Sequence, residues 1–132
     1  MKRLVVIALL LCGCATVGSM EQVSTSVGVS AIFRSDYDDV LSVLQPSIIS
    51  VGLVIEGSRK VNDNQWIIIS QSNISAWSWG EIIRVVIERT NESETTVRVH
   101  TKSKLATNIT YKDNYSSLIF SEIGLRLLTL NH

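Results

Sequence analysis

Two cysteines stand two apart in LLLCGC, residues 9–14, at the end of an apolar run. Thiols at that spacing can form a disulfide, hold a metal or act as a nucleophile. A Cys-x-Cys disulfide closes a very small, strained ring. A metal site needs more ligands than two thiolates, and the flanking sequence holds no His or acidic cluster. The third chemistry is covalent modification of a thiolate.

Elsewhere the sequence shows little that could react. Only His100 and His132 titrate near neutral pH. His132 is the last residue, and His100 lies between Val99 and Thr101 on the polar side of an alternating stretch. Asp36, Asp38 and Asp39 could suggest a cation site, but their place before an amphipathic run fits the first turn of a helix, where the dipole favours acids. No phosphate loop, nucleophile elbow or metal spacing is present. We expect no enzyme, no cofactor and no bound metal. Trp77 and Trp79, in AWSW, share one side of the chain if extended. They either cover the end of a core or contact a partner, such as an envelope protein or a cell-wall sugar.

The cysteines sit in the frame MKRLVVIALLLCGCATVGSM. Lys2 and Arg3 form a positive start, and Leu4 to Leu11 is an apolar run. A spanning helix needs about 20 residues, so this run reads as a secretory signal. Leu11-Cys12-Gly13-Cys14 resembles the bacterial lipobox: an aliphatic residue, a tolerant position, a small residue and the modified cysteine. The resemblance implies a signal peptide over residues 1–13 and a diacylglyceryl group on Cys14, which becomes the first mature residue. It also implies, because Ala15 rather than Asp follows, an outer-membrane lipoprotein that faces the periplasm.

Cleavage after residue 13 of the 132 leaves 119, enough for one domain with a real core. Of 12 basic residues Lys2 and Arg3 leave, so 10 face 12 acids. A net charge near −2 without a basic run argues against nucleic acid, and there is no Lys/Arg cluster for an anionic membrane. The membrane partner is the bilayer that holds the lipid on Cys14.

Residues 14–25 are expected to be a lipidated cysteine and flexible tether, and 26–132 a single domain. Val27, Val29, Ala31 and Phe33 alternate with polar or small residues as in a strand. Ser35 is the expected cap of a helix with Val40, Leu41, Leu44, Ile48 and Val51 on one stripe; Pro46 either kinks it on the way to Gly52, the preferred reading, or ends it near Gln45. Segments 53–58 and 65–71 read as a hairpin with its turn at 60–64. Segments 80–90 and 95–103 read as a second, with Ile83, Val85, Ile87, Val97 and Val99 facing one way. Leu118, Ile119, Ile123, Leu127 and Leu130 mark a last helix capped by Asn114.

The order β-α-β-β-β-β-α predicts an α+β fold, an antiparallel sheet with two helices on one face. With the lipobox, FRSDYDDVLSVL, the VRV strand and the amphipathic last helix, the chain resembles small proteobacterial outer-membrane lipoproteins. It also resembles the helix-grip type of domain in BamC-like assembly lipoproteins. That resemblance implies a binding or scaffolding module in the cell envelope. The alternative is a carrier or sensor of a small apolar ligand held between sheet and helices.

Overall fold

The computed structural model describes residue 20 and residues 23–72, 80–103 and 114–130. Seven elements follow in the expected order: β1 (Val29–Phe33), α1 (Tyr37–Ser50), β2 (Val54–Asn62), β3 (Gln65–Gln71), β4 (Glu81–Arg89), β5 (Thr95–Ser103) and α2 (Tyr115–Leu130). The five strands form one sheet in the order β1-β5-β4-β3-β2, antiparallel at every pairing. The helices pack together on one of its faces, which makes an α+β fold.

The pleat explains that layer. Successive strand residues point to opposite faces, so Ile83, Val85 and Ile87 of β4 point the same way as Val97 and Val99 of β5. There they meet Val40, Leu44 and Ile48 of α1 and Ile119, Ile123 and Leu127 of α2 in one buried cluster. Burying each such side chain contributes about 1.5–3 kcal/mol. At the β1 edge Phe33 meets Phe120 edge-on, with ring centroids 6.2 Å apart.

The cap of α1 is Asp36 rather than Ser35. Its carboxylate accepts the Asp39 N–H at 2.9 Å, so the acid fills the capping position itself. Ser35 instead offers its carbonyl to the Thr95 hydroxyl at 2.9 Å, which ties the helix start to β5. The helix runs through Pro46, as the apolar stripe requires. Pro46 and Gln45 are both exposed, so the lost hydrogen bond is on the side open to water. Beyond the C-cap Val51, Gly52 takes φ +90° and donates to the Ile49 carbonyl, and Leu53 donates to that of Ile48. This is a Schellman ending, and its left-handed residue favours glycine.

Three other boundaries move. β1 begins at Val29 rather than residue 26. β2 reaches Asn62, with bulges between Ile55 and Gly57 and between Lys60 and Asn62, and the turn tightens to residues 63–64. On α2 the buried stripe is Ser116, Ile119, Ile123 and Leu127, whereas Leu118 and Leu130 are exposed. One helix face cannot hold both Leu118 and Ile123, because five residues turn the helix by about 140° beyond a full turn. Asn114 supplies its carbonyl to the Leu118 N–H at the head of α2.

Candidate functional site

Among the described residues, those singled out from sequence do not gather into one site. Cys14, Trp77, Trp79 and His132 lie outside the described residues. Asp36, Asp38 and Asp39 serve the start of α1. Among the described residues no group of three or more His, Cys, Asp or Glu could hold a metal ion. His100 is half-buried on the sheet face away from the helices, in register with Arg84 of β4.

That second face holds the feature the sequence analysis missed. It bears Ile67 and Ile69 of β3 and Ile82 and Val86 of β4, which form a second cluster with Met20. Arg84 sits among them only 1 % exposed. Its Nη1 donates to the carbonyls of Met20, at 3.2 Å, and Val23. Its Nη2 donates to those of Ser24, at 2.7 Å, and Val27, at 3.4 Å. From β5, the Arg98 Nη1 donates to the Thr25 carbonyl at 3.1 Å and lies 3.8 Å from the Glu88 carboxylate. Met20 and residues 23–28 thus form a strap across the sheet, held by its main chain. Of the segment expected as a tether over 15–25, Met20 and Val23 to Thr25 are held against the sheet, and the rest lies outside the described residues.

The electrostatics are unusual. Among the described residues no carboxylate pairs with Arg84, and its Nε has no partner. Burial and the nearby Arg98 push its pKa below the ordinary value. A buried cation is costly unless its donors are satisfied, so removing the strap would strand the guanidinium as well as bare the apolar cluster. The strap and Arg84 stabilise each other. The pleat also brings Arg84, Arg98, His100 and Lys102 to one face, a basic gathering that no run in the sequence reveals.

The signal that could have found Arg84 is GEIIRVVIERT. Residues 81–87 are all buried. A strand with apolar residues in both alternating sets is covered on both faces, and a lone arginine in such a run must have acceptors supplied to it.

Gly28 completes the strap. It takes φ +125°, and a Cβ there would lie 2.5 Å from the Val99 carbonyl oxygen. Gly28→Ala should therefore force the strap away from β5. We expect a loss of about 1–3 kcal/mol in chemical unfolding, with faster hydrogen exchange at residues 23–28 than in β3 or β4.

Two further groups frame the sheet. Ser72 and Glu81 close the β3–β4 end. The Ser72 N–H meets the Glu81 carbonyl at 2.9 Å, the Glu81 N–H meets the Ser72 hydroxyl at 2.7 Å, and that hydroxyl also reaches the buried Glu81 carboxylate. The segment carrying Trp77 and Trp79 departs from and returns to this clasp. At the other end Tyr37 is buried with the Arg89 guanidinium 4.9 Å over its ring, and burial pushes its phenol above the ordinary value.

Against these geometries the comparisons give no relative: no protein-family model matches the chain, and no curated protein matches it. Among the described residues no helix is long and apolar enough to cross a membrane.

Proposed function

We propose that this chain is an outer-membrane lipoprotein, anchored through Cys14 and facing the periplasm. On this reading its α+β domain binds or scaffolds another envelope component and catalyses nothing itself. The lipobox-like Leu11-Cys12-Gly13-Cys14 supports the anchor.

The observation that carries the binding reading is the outer side of α2. Leu118, Leu125 and Leu128 are 43 %, 60 % and 61 % exposed. They follow one another at seven and three residues, so they lie along one side, turned away from the buried Ile119, Ile123 and Leu127. The exposed Ser117 and Ser121 accompany them, and the charges nearby, Glu122 and Arg126, pair with each other at 3.6 Å. A leucine row with little charge around it has the composition of an interface core.

Leu125→Glu with Leu128→Glu tests the reading. Both side chains are exposed, so the melting temperature should stay within the range of ordinary surface changes, about ±0.5 kcal/mol. A photocrosslinker at position 121 should capture a discrete envelope component in intact cells, and the double substitution should abolish that product. Equal capture with and without the two glutamates would reject α2 as the docking face.

A further inference from the structure

We propose that the Arg84 strap fixes which side of the domain faces the membrane: the strapped face of the sheet toward the bilayer, and the helix layer away from it. The inference rests on the proposed anchor at Cys14 and names the surface the domain lies against. Main-chain carbonyls of Met20, Val23, Ser24, Thr25 and Val27 are held by Arg84 and Arg98, and the Met20 side chain is fully buried against Ile67, Ile69, Ile82 and Val86. Met20, the first described residue, is therefore held on the second face of the sheet, well ahead of β1.

Reach decides the consequence. From Cys14 to Met20 the chain spans at most about 20 Å, whatever its conformation, at about 3.3–3.6 Å per residue. A compact domain of this size is about 33 Å across. To lay α1 and α2 on the bilayer, the chain would have to pass from the sheet's far face around an edge, a path longer than its reach. With the strap released, the span from Cys14 to the start of β1 would grow to about 50 Å, and the domain could turn over. The charges agree with the orientation. Lys102, next to His100 on β5, and Arg59, across the sheet on β2, are exposed on the second face; Glu88 there is paired with Arg98, so the two exposed bases are left to suit an anionic headgroup layer. The outward leucines of α2 are then presented to the periplasm, where a partner can reach them.

The experiment uses the full lipidated chain in vesicles of phosphatidylethanolamine and phosphatidylglycerol that carry a headgroup nitroxide. A fluorophore is placed through Lys102→Cys on the second face or Ser121→Cys on α2. The inference expects strong quenching at position 102 and weak quenching at 121. Arg84→Met keeps apolar volume but loses the carbonyl donors, and Met20→Ser loosens the same strap from its other end. In either background the difference between the two positions should disappear. Equal quenching in the chain with an intact strap would overturn the inference, as would a difference that survives when hydrogen exchange shows residues 23–28 released. Failure of the anchor reading looks different: the protein would not float with the vesicles.

Discussion

A Cys14→Ser chain should incorporate no labelled palmitate and should keep its first 13 residues. The thiolate is the group that takes up the diacylglyceryl moiety, and a serine hydroxyl at neutral pH is a far weaker nucleophile. The effect is all-or-none, because stable anchoring needs two or more acyl chains at about 0.8 kcal/mol per buried CH₂. Cys12→Ala should label and mature normally, since position 12 is the tolerant one. Palmitate labelling followed by mass measurement of the mature chain distinguishes the two variants. Undiminished labelling of Cys14→Ser would remove the lipobox reading, and the orientation argued from it.

The second large effect concerns α2. Ile123 is fully buried in the main cluster, between the sheet and α1. Truncating a buried isoleucine to alanine costs about 2–5 kcal/mol, from a total of about 5–15. For a domain near 100 residues each kcal/mol lowers the melting temperature by about 4–8 °C, so Ile123→Ala should melt at least several degrees lower. Glu122→Ala removes only a partly exposed partner of Arg126, and pairs of that kind contribute about 0–1 kcal/mol. Thermal melts of the two neighbours should therefore separate clearly. Equal shifts would mean that the helix is not docked through Ile123.

Alternation made the fold legible. VRVH at 97–100 carries its period-2 pattern openly, IIRVVI at 82–87 is a short β-branched run, and the turn residues around Asp63 and Asn91 separate the strands. Pro46 looked like a break, yet the stripe Val40, Leu44, Ile48 ran across it, and the helix followed the stripe. What stayed hidden was phase and long-range partnership. Leu118 and Ile119 are adjacent leucine-like residues, and only the packing shows which one faces the core. Arg84 reads as one polar residue in a strand until its acceptors are known, and those lie 57 to 64 residues earlier in the chain. No local pattern links GEIIRVV to MEQVSTSV. The anchor proposed at Cys14 and the tryptophan pair, Trp77 and Trp79, lie outside the described residues.

The order of the sheet also sets a schedule. β1 is paired with β5, and Val29 meets Val99 across a separation of most of the domain. By contrast β2–β3, β3–β4 and β4–β5 join neighbours in sequence. Contacts that close long loops form late, after local ones have lowered the entropy of closure. The hairpins can assemble as the chain emerges, but the strap must wait for β4 and β5 before Arg84 and Arg98 exist to receive it. On the proposal that the chain is exported, Met20 and residues 23–28 stay undocked through most of folding, and close only when the last strand is in place.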